Sequence, residues 1–202
     1  MHQFITLIFS FFVAAGAIAN DLVSADTAAG QTLYQSKCLA CHGVAGVSII
    51  PANPILAGQH GEYLYKQVQY FRDGMSKNAI MSAMAQGLSD AEIANVAAYL
   101  SEQQPVIAGA ADMELAQSAE KLYRGGVIAD GIPSCASCHG PAGEGIEPVY
   151  PRLSGQHAEY TASSLRAYAS GERENSIMQA IATKLSDEQI TSLAAYISGL
   201  AP

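Results

Sequence analysis

Apolar residues recur at helical spacing near the end of each half of the chain, and these two stretches are the clearest elements of the sequence. They occupy positions 93, 96, 97 and 100 in the first half and positions 190, 193, 194 and 197 in the second. Ser89 with Glu92, and Ser186 with Gln189, form a capping-box pattern directly before them. The pattern therefore predicts a closing helix in each half.

Each half also contains two earlier segments that are predicted to be helical. These ranges are 27–37 and 60–73 in the first half and 113–123 and 157–170 in the second. Gly74 and Gly171 follow the later pair at the position of a C-cap glycine. Residues 43–58 and 140–155 are rich in Gly and Pro and are predicted to be loops. The expected fold is all-α.

The beginning of the chain has the pattern of an export signal. Residues 4–19 form an apolar run that ends in Ala17-Ile18-Ala19, directly before the polar Asn20. This small-x-small ending is typical of a secretory signal peptide, so residues 1–19 are predicted to be removed on export. The alternative is an uncleaved membrane anchor, although a run of this length is short for a membrane span.

The remainder of the chain is a tandem repeat. When residues 38–105 are set against residues 135–202, an offset of 97, about thirty of the 68 pairs are identical. Self-similarity of this extent predicts two copies of one domain. The expected domains are residues 20–105 and 106–202, because the segment 104–109 has the Pro and Gly of a linker.

The two copies differ before the shared segment. Leu33-Tyr34 lies close before Cys38, whereas Leu122-Tyr123 lies eight residues further from Cys135. The extra Gly-rich segment, residues 125–133, is predicted to be a loop insertion in the second domain.

The sequence Cys-x-x-Cys-His occurs twice and contains all four cysteines of the chain. It is the attachment signature of c-type haem, in which two thiols add to the vinyl groups and the adjacent imidazole binds the iron. A shared zinc site does not explain the histidine after each pair, and a thioredoxin-like site requires a βαβ pattern. The predicted haem c ligands are Cys38, Cys41 and His42 for one group, and Cys135, Cys138 and His139 for the other.

The second axial ligand is predicted to be a methionine in each half. Met178 is the one methionine after the second motif, and the repeat pairs it with Met81. Met75 and Met84 have no counterpart that binds iron, so Met84 is expected to be packing beside the site. The alternative for each predicted ligand is ordinary core packing. A thioether favours ferrous iron and raises the reduction potential, and six-coordinate iron leaves no position for a substrate.

Other repeated residues are expected to support the haems. The carbonyls of Pro54 and Pro151 are candidates to orient the ligating imidazoles. His60 and His157 are alternative candidates for iron ligands, but each opens a predicted helix far from the methionine position, so structural or surface roles are expected. Side chains that either contact the haem or its propionates or fill the core are Leu56, Gln59, Tyr63, Leu153, Gln156 and Tyr160.

The charge of the chain limits the classes of partner. The formal net charge is −8, which argues against nucleic acid. Divided after Pro105, the exported chain carries −3 in its first half (four basic, seven acidic residues) and −5 in its second (six basic, eleven acidic). Docking is therefore expected to use an apolar haem edge or a partner with a basic surface.

These features together resemble the dihaem cytochrome c4 family. The resemblance rests on both Cys-x-x-Cys-His motifs, the Leu-x-Gly-Gln-His-like segments, the Ile-Met pair in each half, the Leu-Tyr-Arg-Gly-Gly run at 122–126 and the closing Ala-Ala-Tyr helices. It implies two cytochrome-c-like domains related by a pseudo-twofold axis, with haem propionates facing each other across the interface. Met81 and Met178 match the family's ligand positions. One departure is the short segment 74–80, which is expected to expose the first haem edge differently.

The predicted function is periplasmic electron transfer without substrate turnover, between a respiratory donor and an acceptor such as a terminal oxidase. The resemblance also implies peripheral association with the membrane. An alternative is the dihaem cytochrome subunit of an enzyme like flavocytochrome c sulfide dehydrogenase, which would have the same fold and ligands. A dihaem peroxidase is a third hypothesis, but the equivalent methionines in both halves argue against it.

Overall fold

The computed structural model describes residues 22–109 and 112–201. Within these ranges the chain is helical, with isolated β-bridges and no longer strand, so the all-α prediction is confirmed. In the same ranges, no helix combines the length and the apolar character that crossing a membrane requires. The predicted signal peptide, residues 1–19, lies outside the described residues and stays a prediction.

From Thr27 to Ser101, the first half contains the three predicted helices and two short helices that were not predicted. Its helices are α1 (Thr27–Lys37), α2 (Leu39–His42), α3 (Gly61–Arg72), α4 (Ala79–Ala85) and α5 (Asp90–Ser101). Helix α1 begins where it does because the Asp26 carboxylate accepts the backbone N–H groups of Ala28 and Ala29, at 2.9 and 3.0 Å. The predicted loop 43–58 contains one 3₁₀ turn, Val44–Gly46.

The second half repeats this order of helices. They are α6 (Met113–Gly125), α7 (Ala136–His139), α8 (Ala158–Ser170), α9 (Ser176–Ala182) and α10 (Asp187–Gly199). Asp112 caps α6 by accepting the Leu115 N–H at 2.9 Å. Gly171 ends α8 in the left-handed conformation, as the C-cap pattern predicted.

The capping boxes before α5 and α10 are both formed. Ser89 Oγ accepts the Glu92 N–H at 3.3 Å, and Glu92 Oε2 accepts the Ser89 N–H at 2.8 Å. Ser186 and Gln189 make the equivalent pair of bonds, at 3.1 and 2.9 Å. These reciprocal bonds satisfy N–H groups that lack partners at a helix start, and so they fix both closing helices.

In each half the first helix packs against the closing helix, and a tyrosine pair lies at the centre of the contact. The rings of Tyr34 and Tyr99 are 5.5 Å apart, and those of Tyr123 and Tyr196 are 5.2 Å apart. Tyr34 and Tyr123 are fully buried. The equivalence of these two tyrosines confirms that the extra residues of the second half lie between Tyr123 and its Cys-x-x-Cys-His motif.

Those extra residues form a small closed loop. Val127 and Ile132 make an isolated antiparallel bridge around the 3₁₀ turn Ile128–Asp130, and the Ile132 side chain is buried. Lys184 Nζ donates to the Gly131 carbonyl at 2.9 Å, which ties the loop to the segment after α9. The predicted loop insertion is thus confirmed.

The two halves contact each other through a reciprocal pair of glutamines. Gln59 Nε2 donates to Arg152 O at 2.8 Å, and Gln59 Oε1 accepts the Arg152 N–H at 2.9 Å. Gln156 makes the same two bonds to the backbone of Ile55, at 2.8 and 2.9 Å. The repeat offset relates Gln59 to Gln156 and Ile55 to Arg152, so the two domains are related by a pseudo-twofold axis.

The repeated histidines also cross this interface. His60 Nε2 lies 3.0 Å from Glu144 O, and its Nδ1 lies 3.0 Å from a Glu147 carboxylate oxygen. His157 Nε2 lies 2.9 Å from Ser48 O. The structural role predicted for His60 and His157 is therefore confirmed, and that role is to join the two domains.

Candidate haem sites

Each Cys-x-x-Cys-His motif forms a single helical turn. The His42 N–H donates to Cys38 O at 3.0 Å, and the His139 N–H donates to Cys135 O at 2.9 Å. Residues that are three or four apart in a helix are neighbours on its surface. The two thiols and the imidazole of each motif therefore lie on one face, as attachment to a single haem requires.

The thiols of both motifs are free rather than joined in disulfides. Burial raises the pKa of the Cys38 thiol and raises the pKa of Cys135 to about 11. Within residues 22–109 and 112–201, no cluster of three or more His, Cys, Asp or Glu side chains is placed to hold a metal ion. The two cysteine pairs therefore do not converge as a shared zinc site demands.

The two motif imidazoles are buried and oriented in the same way. Nδ1 of His42 lies 3.1 Å from Pro54 O, and Nδ1 of His139 lies 3.0 Å from Pro151 O. Because a carbonyl only accepts, Nδ1 carries the proton and Nε2 keeps its lone pair. Burial lowers the pKa of both imidazoles, against the opposing effect of these hydrogen bonds. A neutral imidazole held by its other nitrogen is the form that binds a metal, and the predicted hydrogen bonds to Pro54 and Pro151 are confirmed.

A buried tyrosine fixes the loop that leaves each motif. Tyr34 Oη donates to Gly43 O at 2.6 Å and accepts the Gly46 N–H at 3.0 Å. Tyr123 Oη donates to Gly140 O at 2.8 Å. Gly43 has a φ of 75°, and an added Cβ there would lie 2.0 Å from a backbone oxygen, so the turn requires glycine. This role of the tyrosines was not predicted, although the Leu-Tyr pair before each motif is a signal for it.

Met81 and Met178 occupy equivalent positions in the short helices α4 and α9. The Asn78 side chain accepts the Met81 N–H at 3.0 Å, and the Asn175 side chain accepts the Met178 N–H at 3.0 Å. Each asparagine thus caps its helix and fixes the backbone of the methionine. Both methionine side chains are half-buried, whereas Met84 is 42% exposed rather than packed in the core. Coordination of iron by Met81 and Met178 stays a prediction.

Comparisons with known proteins identify the fold. The family model for cytochrome c matches the chain twice, over residues 27–104 and 119–201. Cytochrome c4 of Azotobacter vinelandii is 45% identical over 189 residues, which covers 87% of this chain and 89% of that protein. The chain belongs to the cytochrome c4 family. The crystal structure of reduced recombinant cytochrome c4 from Pseudomonas stutzeri has a TM-score of 0.84 at 41% identity, covering 88% of this chain and 100% of that one.

As a member of the cytochrome c4 family, the protein is a dihaem electron-transfer cytochrome with two covalently bound haem c groups. The residues described above fit these groups, because each half offers two thiols and a neutral imidazole with a free Nε2. Haem c supplies reversible one-electron chemistry at its iron. The chain supplies the attachment, the axial imidazole and the surroundings that set the reduction potential.

A third similar protein is named for its function. The thiosulfate dehydrogenase electron acceptor of Thiomonas intermedia (strain K12) is 35% identical over 173 residues, covering 81% of this chain and 78% of that protein. Its similarity extends over both halves of the chain, so cytochromes of this architecture include at least one protein named for accepting electrons from an enzyme.

The remaining candidates for haem contact divide into two groups. Leu56 and Leu153 are partly buried against the two hydrophobic cores. The side chains of Gln59 and Gln156 are used in the contact between domains, and Tyr63 and Tyr160 bond to an arginine at the same interface. The partners of Gln59, Gln156 and Tyr63 lie on the other half of the chain, so the local sequence does not encode them.

Proposed function

We propose that this cytochrome is a free electron carrier without substrate turnover of its own, and that Met81 and Met178 complete the coordination of its two irons. Electrons enter at one haem, pass to the second and leave to a redox partner. The proposed attachment residues are Cys38, Cys41, Cys135 and Cys138, and the proposed axial ligands are His42 and Met81 for one iron and His139 and Met178 for the other.

One observation carries this proposal, which is that both sites are built alike. Each has a motif histidine whose Nδ1 is bonded to a proline carbonyl, at 3.1 and 3.0 Å, and each has a methionine fixed by an asparagine cap. A peroxidase needs one iron with an open position. Two equivalent histidine–methionine sites support two six-coordinate irons, which favour electron transfer over oxygen or peroxide chemistry.

The proposed domains are residues 20–105 and 106–202. The family model supports this division, because its two matches end at residue 104 and begin again at residue 119. The segment 104–109, with its Pro and Gly, starts at the last residue of the first match and is the proposed linker.

The proposed location is the periplasm, after removal of residues 1–19 as a signal peptide. Haem c is attached outside the cytoplasm, which agrees with the small-x-small ending at Ala17-Ile18-Ala19. The proposed partners are a respiratory donor and a terminal oxidase or similar acceptor, with peripheral attachment to the membrane surface.

A second candidate concerns the donor. The similarity to the thiosulfate dehydrogenase electron acceptor supports a thiosulfate-oxidising enzyme as an alternative source of electrons. The similar proteins are named as cytochromes c4 and as an electron acceptor, so a flavocytochrome subunit is not favoured. Electron transfer rates from each class of donor to the purified cytochrome would separate these candidates.

The experiment that tests the carrier and its ligands is a stoichiometric redox titration followed by visible absorption. We expect two electrons per chain and the weak far-red band of methionine-bound ferric haem at the strength of two sites. Met81→Ala and Met178→Ala are matched variants, and each should remove half of this band and lower one potential by on the order of 0.1–0.3 V.

The outcomes distinguish the ligand assignment from the function. A variant that loses the band of both haems would contradict two independent sites. A high-spin haem in the unchanged protein would indicate an open iron position and would replace the carrier with an enzyme. Met84→Ala serves as the control, since Met84 is 42% exposed and should leave both the band and the potentials unchanged.

A further inference from the structure

The pseudo-twofold axis passes through a short contact between the segments that precede α4 and α9. Ser76 and Arg173 form an isolated antiparallel bridge there, and the repeat offset relates these two residues to each other. The flanking bonds run from Lys77 N–H to Glu172 O (2.9 Å) and from Glu174 N–H to Met75 O (3.3 Å). Equivalent backbone positions thus pair across the axis, but one carries an arginine and the other a serine.

The Arg173 guanidinium donates two hydrogen bonds to each half. Its Nη2 donates to Tyr63 Oη and Gln67 Oε1 of the first half, at 2.6 and 2.5 Å. Its Nη1 donates to Tyr160 Oη and Ser164 Oγ of the second half, at 3.3 and 3.1 Å. The repeat offset relates Tyr63 to Tyr160 and Gln67 to Ser164, so the cation lies close to the axis, between equivalent residues of the two halves.

This cation is buried without a counter-charge. Arg173 is 9% exposed, its hydrogen-bond partners are all neutral, and the Tyr168 ring lies 4.8 Å from its central carbon. In the part of the chain that the structure describes, no carboxylate forms an ion pair with it. A buried charge without a partner of opposite sign is strongly unfavourable, so an anion is expected beside it.

Two buried polar atoms at this place have no hydrogen-bond partner among the residues that the structure describes. They are Nε of Arg173 and Oγ of Ser76, the two residues of the bridge. Both residues line a cleft of about 110 Å³, together with Lys77, Asn78 and the carboxylate residue Glu172, which is exposed. Unsatisfied buried donors are rare in folded proteins and call for an explanation. Here the two donors can both bond to an oxygen atom of a ligand.

We propose that Arg173 and Ser76 form a binding site for a carboxylate-type anion between the two domains. Arg173 Nε and Ser76 Oγ are the donors, and the guanidinium supplies the charge. Two sources share this chemistry, namely a propionate of a bound haem and a small carboxylate from solution. The inference rests on the two bound haems of the carrier, but it does not depend on the assignment of Met81 and Met178.

The site has a consequence for both haems. A cation raises the reduction potential of a nearby iron, because it disfavours the additional positive charge of the ferric state. Removal of Arg173 should therefore lower both potentials. The shifts should be of comparable size, since the guanidinium contacts equivalent residues in the two halves.

The pseudo-symmetry provides a matched test in the haem-loaded protein. Arg173→Ser should lower both potentials. The exchange variant Ser76→Arg/Arg173→Ser moves the guanidinium to the equivalent position of the first half, where it faces the same two tyrosines. Phe71 then takes the place of Tyr168. This variant should restore both reduction potentials. Arg173→Lys keeps the charge but loses the planar fork, so it should fold and give intermediate potentials.

Two further measurements identify the source of the anion. If it is a propionate, the carboxylate bands of the redox-difference infrared spectrum should shift in Arg173→Ser, and added acetate should have no effect at constant ionic strength. If it comes from solution, acetate should shift the wild-type potentials with saturation, and Arg173→Ser should abolish this response. Unchanged potentials in Arg173→Ser, together with no acetate response, would overturn the proposal. An intact far-red methionine band in that variant shows that the ligands are not the cause.

Discussion

The two domains share one framework, yet their helix crossings are packed differently. In the first domain, Gly30 of α1 lies so close to α5 that an added Cβ would be 2.0 Å from the backbone oxygen of Asn95. In the second domain the corresponding residue of α6 is Ala119, which is buried at the same crossing. The two copies have thus retained the tyrosine pair but adjusted the distance between their helices separately. A repeat in the sequence therefore predicts the same elements, not the same spacing.

The largest expected effect comes from exchanging the residue types of Gly30 and Ala119. Gly30→Ala should lower the free energy of unfolding by about 3 kcal/mol, because the obstacle is backbone and the helices must move apart. Helix propensity acts in the opposite direction by roughly 1 kcal/mol. Denaturant unfolding of the haem-loaded protein, followed by circular dichroism, measures the net effect.

The reciprocal change is the control. Ala119→Gly should cost roughly 1–2 kcal/mol, from lost helix propensity and one buried methyl group. If Gly30→Ala were instead stabilising, as propensity alone predicts, the close approach of α1 and α5 would be disproved.

A second comparison concerns the buried tyrosines beside the motifs. Tyr34→Phe should cost about 2 kcal/mol, because it leaves the buried Gly46 N–H without the partner it has at 3.0 Å. Tyr123→Phe should cost about 1 kcal/mol, since Gly140 O also accepts the Gly143 N–H at 3.2 Å. Burial raises the pKa of Tyr34 to about 12, so its hydroxyl remains a donor at neutral pH.

Thermal unfolding of the two phenylalanine variants measures this difference. Equal losses would show that the second hydrogen bond of Tyr34 contributes nothing to stability. The far-red methionine band is the control for the haem environment and should be unchanged in both variants.

These differences show what the sequence could and could not predict. The longer helices were predicted because helix caps such as Ser89 and the spacing of apolar residues are local features of the sequence. The haem attachment sites were predicted because covalent chemistry fixes the spacing of the cysteines and the histidine. Helices α4 and α9 have seven residues each, too few for a clear period, and they were not predicted; the asparagine at each helix start is the signal that could have indicated them. The partners of Gln59 and two of the four partners of Arg173 lie on the other domain, and such long-range contacts leave no local pattern. Arg173 was also missed because the repeat pairs it with Ser76, so it does not stand out as a repeated residue.

The smallest expected effect concerns a surface ion pair that both domains have at the start of the closing helix. The Arg72 guanidinium, 2.7 Å from Asp90, together with Gln69, holds the pKa of that carboxyl below its ordinary value. Arg166, 2.8 Å from Asp187, lowers the pKa of the equivalent carboxyl in the second domain. Because the folded pKa is the lower one, each pair stabilises the protein fully above the unfolded value of about 3.9 and loses its effect as pH falls through the folded pKa.

Asp90→Asn should therefore reduce stability at neutral pH by no more than about 0.5 kcal/mol, since the carboxylate is over half exposed and solvent screens the pair. Asp187→Asn should have a smaller effect, because Asp187 is more exposed and has Arg166 as its one side-chain partner among the described residues, whereas Asp90 has both Arg72 and Gln69. Unfolding of both variants and the unchanged protein, between pH 3 and pH 7, checks the order and the sign. The Asp90→Asn difference should shrink towards acid pH and in high salt. A difference that persists at pH 3 would mean that Asp90 acts through the helix start it occupies rather than through its charge on Arg72.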